Sequence, residues 1–135
     1  MCTGPNPGNY YIINTQLGPA GEQLAANNNI NAPLFVIAAQ QLMAQRWSVI
    51  GEPADPQRIV PLVDPGLEAA PAGNFVEALP AANFAWCMDA NGDGYIIADP
   101  NTQLVWAINI AAEEQQIVLE PQGKKPLQVW RFLPA

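Results

Sequence analysis

The sequence contains few of the side chains that carry out covalent catalysis. It has no histidine, and Ser48 is its one serine. A Ser-His or Cys-His nucleophile pair therefore cannot be assembled, and histidine-based zinc or iron sites are excluded as well. A pair of carboxylates of the glycosidase type remains, but the neighbours Glu113 and Glu114 would point to opposite faces of a strand. We expect neither enzymatic activity nor a cofactor.

The segment from Asp89 to Ile96 has the spacing of a calcium loop. Oxygen-bearing side chains stand at its first, third and fifth positions, with glycine at the sixth. The twelfth position should be a bidentate glutamate, and here it is Pro100. Asn91-Gly92 and Asp93-Gly94 are strong turn formers, so we expect a turn between two strands and no metal site.

Charge and apolar runs narrow the choice of partner. The chain has 135 residues, a formal net charge of −7 and Lys124-Lys125 as its only basic cluster, so we expect no nucleic-acid partner. The longest apolar run, Leu34 to Ala39, is far shorter than the roughly 20 residues of a membrane-spanning helix, and we expect no membrane insertion.

The first residues and the cysteines bear on location. Met1 to Asn9 has no basic start and no apolar stretch, which predicts that no secretory signal is present and that the protein is cytoplasmic. Cys2 and Cys87 form no disulfide framework, and we expect each to be a reduced thiol.

Fourteen prolines and ten glycines divide the chain into short apolar pieces, a pattern typical of many short strands. The segment from Leu34 to Trp47 has no Gly or Pro and could instead form a helix, but its apolar positions lack the spacing of an amphipathic helix, which favours a pair of strands. The twelve predicted strands are Tyr10–Ile13, Gln23–Ala26, Leu34–Ala38, Arg46–Ile50, Arg58–Val63, Leu67–Ala70, Phe75–Leu79, Phe84–Met88, Tyr95–Ala98, Leu104–Ile110, Gln115–Glu120 and Val129–Leu133.

Tryptophans recur along the chain at a nearly constant interval. Trp47 and Trp86 are 39 residues apart, and Trp86 and Trp130 are 44 apart. A period near 40 in a short-strand protein predicts propeller blades or trefoil lobes, and three units are too few for a propeller. We therefore predict an all-β, single-domain β-trefoil over residues 1–135, with four-stranded lobes at about 8–50, 51–92 and 93–135. The three tryptophans, and Trp106 with them, are expected to lie in the core.

The motifs Gln45-Arg46-Trp47, Phe84-Ala85-Trp86 and Gln128-Val129-Trp130 resemble those of ricin B-like β-trefoil lectins from mushrooms. In that family the tryptophan packs in the core and the glutamine ties the lobe backbone together. The resemblance covers roughly residues 7 to 132, and it is strongest to an inky-cap member that binds the α1,3-fucosylated chitobiose core of N-glycans and is toxic to nematodes. It implies a carbohydrate-binding defence protein whose partners are glycans or glycoproteins, with a homodimer as one oligomeric state.

The resemblance also implies a glycan site in the second lobe. The residues that match the family's contacts are Gly73, Asn74, Leu79, Asn83, Phe84, Ala85 and Trp86. The family carries a further tryptophan three residues before the glycine, where this chain has Ala70. Phe84 stands where the other two lobes have glutamine, and the residues alone leave open whether its ring fills a hole or faces a ligand.

A second function class fits the same fold. Mushroom β-trefoil protease inhibitors carry similar beginnings and ends, and such an inhibitor needs a stiff exposed loop that enters a serine or cysteine protease. The segment from Pro121 to Pro126 offers Lys124 and Lys125 between prolines. A solvated hairpin tip explains the same two lysines.

Overall fold

The computed structural model describes residues 2–80, 82–123 and 125–135. Within these ranges the chain forms short strands and two short 3-10 helices, Met43–Gln45 and Pro126–Gln128, and each of the predicted strands is present. The strands are β1 (Gly8–Asn14), β2 (Leu24–Asn27), β3 (Phe35–Ala38), β4 (Arg46–Ile50), β5 (Arg58–Pro61), β6 (Leu67–Ala72), β7 (Phe75–Pro80), β8 (Cys87–Asn91), β9 (Gly94–Ala98), β10 (Leu104–Ala107), β11 (Val118–Pro121) and β12 (Trp130–Pro134).

Six of the strands close into a barrel. Strand β1 pairs antiparallel with β4 and β12, β4 pairs with β5, and β9 pairs with β8 and β12. The ring is completed between β5 and β8 by a single bridge, in which the Gln57 and Trp86 backbones exchange hydrogen bonds of 2.8 and 2.7 Å. Closure removes the exposed edges that an open sheet of these strands would have.

The other six strands form three hairpins, β2–β3, β6–β7 and β10–β11, which meet at one end of the barrel. Their contact is a ring of three backbone hydrogen bonds. Leu34 N–H donates to Val76 O at 2.8 Å, Val76 N–H donates to Ile117 O at 3.3 Å, and Ile117 N–H donates to Leu34 O at 2.8 Å. One residue from each lobe contributes to this ring, so the predicted β-trefoil of three four-stranded lobes is confirmed.

The tryptophans of the repeat occupy equivalent places in the core. Trp47, Trp86 and Trp130 are fully buried, as is Trp106. The indole N–H of each repeat tryptophan donates to a backbone carbonyl in the hairpin of its own lobe: Trp47 to Ala26 O at 3.0 Å, Trp86 to Ala69 O at 2.8 Å, and Trp130 to Trp106 O at 3.0 Å. The predicted core role of all four tryptophans is confirmed.

The segment from Leu34 to Trp47 forms two strands and not a helix. Strand β3 pairs along its length with β2, and β4 lies between β1 and β5. The 3-10 turn between them places Gln45 inside the lobe, where its side chain bonds the loop backbone. Tertiary pairing thus overrides the local helix propensity of the alanines and glutamines.

The N-terminal segment is fastened to the barrel, which corrects one expectation. Cys2 and Cys87 form a disulfide and are not reduced thiols. Thr3 N–H donates to Met88 O at 2.9 Å, and the buried Gln57 amide donates to Pro5 O at 2.8 Å. These residues lie beside the weakly paired β5–β8 seam, and this packing brings together two cysteines separated by 85 residues. Chain spacing carries no sign of such a contact.

The segment resembling a calcium loop forms the hairpin between β8 and β9. Asn91 pairs with Gly94 across a two-residue turn, and Gly92 has a φ of 59°. That positive φ is a conformation that glycine adopts without strain. The helices of the described ranges are single 3-10 turns, and none is long and apolar enough to cross a membrane.

Candidate functional site

The β6–β7 hairpin of the second lobe has an inner face in the core and an outer face at the surface. Along β7, Val76 and Ala78 are buried, whereas Phe75, Glu77 and Leu79 between them are half-buried. Side chains of a strand alternate between faces, so these three half-buried residues lie on one outer face. That outer face and the loop that follows β7 form the candidate site.

A buried carboxylate holds the loop after β7. Glu68 lies opposite Leu79 in the hairpin and is only 4% exposed. Its Oε1 accepts a hydrogen bond from Arg58 Nε at 2.6 Å, and its Oε2 accepts one from the Asn83 backbone N–H at 3.0 Å. The Phe84 backbone N–H also bonds this carboxylate. A charged group at the base of the loop therefore fixes the backbone of two candidate site residues.

The environment of Glu68 changes its acidity. The hydrogen bond from Arg58 lowers the pKa of Glu68, and the hydrogen bonds from the Asn83 and Phe84 amides lower it further, against the opposing effect of burial. The same hydrogen bond raises the pKa of Arg58. Glu68 is therefore ionised at neutral pH, and the ion pair and both amide contacts persist together.

The other two lobes hold the equivalent loop with glutamine. Gln45 Oε1 accepts from Gln40 N–H at 2.9 Å, and its Nε2 donates to Ala38 O at 3.0 Å. Gln128 Oε1 accepts from Gly123 N–H at 2.9 Å, and its Nε2 donates to Pro121 O at 3.0 Å. In the second lobe Phe84 replaces the glutamine, and Glu68 supplies the acceptor from another strand. Sequence reasoning missed Glu68, although a single acidic residue inside the apolar run of β6 was a signal for it.

Phe84 lies at the boundary between the core and the surface. Its ring packs edge-on against Trp86, with centroids 4.7 Å apart, and it borders the core cluster. The residue is half-buried, so part of it also reaches the surface. Trp86 is fully buried and its indole N–H is hydrogen-bonded inside the lobe, so the Phe84 ring packs against a fixed side chain.

Asn83 is exposed, whereas its neighbour Phe84 is half-buried. Its φ is 49°, in the left-handed region that asparagine tolerates better than most residues. The hydrogen bond from the Asn83 N–H to Glu68 holds the backbone in this conformation, so the side-chain amide starts from a fixed main chain. Ala85, between Phe84 and Trp86, is half-buried.

Gly73 and Asn74 lie at the opposite end of the hairpin from this loop. They form the two-residue turn between β6 and β7, in which Ala72 pairs with Phe75 and Gly73 has a φ of 62°. Five residue steps separate Asn74 from Leu79, about 17 Å along an extended strand. The structure thus brings Leu79, Asn83 and Phe84 together around Glu68, and it places the glycine turn at the far end of the same face.

Ala70, which stands where the resembling family has a tryptophan, is 4% exposed and lies opposite Glu77. The outer face therefore has no large aromatic at its centre. Its aromatic residues are Phe84 at one end and Phe75 at the other.

These side chains can bind by contact and hydrogen bonding. Phe84 and Leu79 offer apolar surface, and the Asn83 amide offers both a donor and an acceptor. The ionised carboxylate is engaged by Arg58 and the loop amides. Such a combination suits a ligand with hydroxyl groups on one side and C–H groups on the other.

The proline-flanked segment that would serve a protease inhibitor lies elsewhere. Lys124 is outside the described residues. Lys125 Nζ pairs with Glu120 at 3.3 Å, an exposed contact. The segment borders a cleft of about 460 Å³ against the β8–β9 hairpin, whose lining residues are Asn91, Ile96, Gln122, Gly123, Lys125, Pro126 and Val129.

The architecture defines a β-trefoil, and comparison with solved structures agrees. The chain matches a mosquitocidal holotoxin with a TM-score of 0.82 and 9% identity, over 97% of this chain but only 18% of the toxin chain. It matches the ricin B-like lectin of Macrolepiota procera, solved with lactose, with a TM-score of 0.74 and 16% identity over 97% and 98% of the two chains. A proteinase inhibitor from Coprinopsis cinerea matches with a TM-score of 0.71 and 14% identity over 98% and 100%.

The family follows from the sequence. The model of the CCL2-like family, described as CCL2 lectin-like, matches residues 8–130, and the chain belongs to this family. No curated protein matches the sequence.

Proposed function

We propose that this protein is a carbohydrate-binding lectin and that its site is the Glu68-anchored loop with the outer face of β7. The observation that carries the proposal is the replacement of the lobe glutamine by Phe84, with Glu68 taking over the backbone contact. The second lobe thereby gains an aromatic surface without losing a fixed loop. Membership of a lectin family supports the same class of ligand.

The resemblance of Asn83, Phe84 and Leu79 to lectin contact residues favours one glycan. We take the α1,3-fucosylated chitobiose core of N-glycans as its target, and the same resemblance favours a role in defence. The protein acts by binding and not by catalysis, and association into a homodimer would raise its avidity for surfaces that carry several glycans.

The test uses Asn83→Gly, because glycine keeps the positive φ of this position and removes only the side chain. We expect at least a tenfold weaker Kd for fucosylated chitobiose, measured by titration calorimetry, with an unchanged melting temperature. The matched control is Gln41→Gly, which alters an exposed residue with a φ of 57° in the equivalent loop of the first lobe. If both variants bind like the wild type, the site lies elsewhere. A glycan array on the wild type with no bound feature would refute the lectin proposal itself.

Protease inhibition is the alternative function. In that case Lys125 would be the residue that enters the protease. The alternative is supported by the cleft beside the proline-flanked segment and by the shared fold of the Coprinopsis cinerea inhibitor. Inhibition of trypsin or papain by the wild type, lost in Lys125→Ala, would favour it. Absence of inhibition by the wild type would remove this alternative.

The cytoplasmic location is a separate proposal. The Cys2–Cys87 bridge weighs against it, since disulfides persist mainly in oxidising compartments. Cell fractionation combined with thiol labelling of the protein from each fraction would decide between the cytoplasm and an oxidising compartment.

A further inference from the structure

A groove opens between the second and third lobes at the glycine-turn end of β7. It has a volume of about 360 Å³, within the range of small-molecule sites. A neighbouring hollow of about 250 Å³ shares Glu114 and Gln116 with it. The residues that line the groove are Phe75, Asn109, Glu114, Gln115, Gln116 and Val118.

The walls of the groove are preformed. Leu119 N–H donates to Asn74 O at 2.7 Å, which fixes β11 against the glycine turn. Glu114 N–H donates to Val36 O at 2.6 Å, with Glu114 held at a φ of 65°. Backbone groups of the first and second lobes therefore hold the β10–β11 loop and β11 in place.

The lining of the groove has the chemistry of a sugar subsite. Phe75 supplies a half-buried aromatic surface. Asn109, Glu114 and Gln116 are exposed and present two amides and a carboxylate. Amides both donate to and accept from hydroxyl groups, and the carboxylate accepts from them.

The groove and the loop site share one continuous face. Phe75, Glu77 and Leu79 alternate with buried residues on the outer side of β7. Phe75 and Leu79 are four steps apart, about 13 Å along the strand. A ligand long enough to leave the loop site along this face reaches Phe75.

We infer that the groove is a second sugar subsite, which binds a further residue of the same oligosaccharide that the loop site holds. The inference rests on the proposed lectin function and extends it, because it makes the ligand a branched or elongated glycan read by two lobes. Phe75 packs against the sugar, and Asn109, Glu114 and Gln116 bond its hydroxyl groups.

The experiment compares two probes on the wild type and on variants. The probes are the fucosylated chitobiose trisaccharide and the same core carrying its trimannosyl branch. Asn109→Ala and Gln116→Ala each remove one exposed amide from the groove lining. The matched control is Ile110→Ala, in the same loop but outside the groove lining, at a residue that is 61% exposed.

We expect the wild type to bind the longer probe about tenfold more tightly than the trisaccharide. Asn109→Ala and Gln116→Ala should each lose most of that gain while their Kd for the trisaccharide stays within twofold, and Ile110→Ala should change neither value. The groove is not a subsite if both groove variants keep the full gain or if the wild type shows none.

The two proposals fail in different ways. Trisaccharide binding that is lost in Asn83→Gly, together with groove variants that behave like the wild type, overturns the second subsite alone. A wild type that binds neither probe overturns the lectin proposal for this glycan and the subsite with it.

Discussion

At the scale of single residues, Glu68 connects stability to the candidate site. It is almost fully buried, yet it is charged because Arg58 and two loop amides face it. A buried charge with its partners in place is tolerated, and removal of its charge leaves those partners unsatisfied. The residue that holds Asn83 and Phe84 in position is therefore also one on which folding depends.

We predict that Glu68→Gln lowers the free energy of unfolding by about 1 to 3 kcal/mol at pH 7, as loss of a charged hydrogen-bond partner does. Because the folded pKa of Glu68 is lowered, its stabilisation is complete above the unfolded pKa of about 4.3 and is lost as the pH falls through the folded value. The difference between wild type and variant should therefore shrink at acidic pH. Urea denaturation at several pH values measures it.

The control for this prediction is Glu77→Gln on the same hairpin, at a half-buried carboxylate. It should lower the free energy of unfolding at pH 7 by less than Glu68→Gln does. If the free energies of unfolding of Glu68→Gln and of the wild type differ by the same amount from pH 7 to pH 3, the carboxylate does not hold the loop.

At the scale of elements, the N-terminal segment supports the strand that follows the candidate loop. Among the described residues, β5 and β8 are joined through the bridge between Gln57 and Trp86, the residues that precede the two strands, and residues 2–5 pack beside that seam. The disulfide fastens this segment to Cys87, the first residue of β8. The segment thus substitutes for strand pairing that the barrel lacks at this seam.

We predict that Cys2→Ser lowers the free energy of unfolding by about 2 to 4 kcal/mol, because the bridge closes a long loop in the unfolded chain. Reductant should destabilise the wild type by a similar amount and leave the variant unchanged. Thermal melting with and without reductant measures both effects. A wild type that is indifferent to reductant would mean that the bridge does not form.

The hairpin between β8 and β9 should fold without calcium. Its turn residues are paired across the strands, and the bidentate twelfth ligand of a calcium loop is absent because Pro100 stands there. Melting curves in calcium and in chelator are expected to coincide. An increase of several degrees in millimolar calcium would contradict this prediction.

At the scale of the whole molecule, three equivalent tryptophans join barrel and hairpins. Each donates its indole N–H to a carbonyl of its own hairpin, and Trp106 lies edge-on to both Trp86 and Trp130. The core is therefore one cluster shared by the three lobes.

We predict that Trp47→Ala and Trp130→Ala each cost about 3 to 5 kcal/mol of unfolding free energy, as the loss of large core aromatics does. The control Leu17→Ala, at a residue that is 53% exposed, should cost far less. Chemical denaturation measures all three. A loss below about 1 kcal/mol at either tryptophan would place that side chain outside the shared core.

The sequence by itself determined the trefoil, because the tryptophan interval and the turn residues are local properties repeated along the chain. The same repeat showed that the second lobe has Phe84 where the other two lobes have glutamine. The resemblance to ricin B-like lectins also implied that the lobe glutamine ties the backbone, and Gln45 and Gln128 each bond residues a few positions away.

Only the tertiary structure decided what replaces the glutamine in the second lobe. Glu68 reaches Asn83 from 15 residues away, and Cys2 reaches Cys87 from 85 residues away. Such contacts depend on how the strands pack, and no spacing rule encodes them. For the same reason the sequence did not show that the Gly73-Asn74 turn and the Glu68-anchored loop lie at opposite ends of one hairpin face.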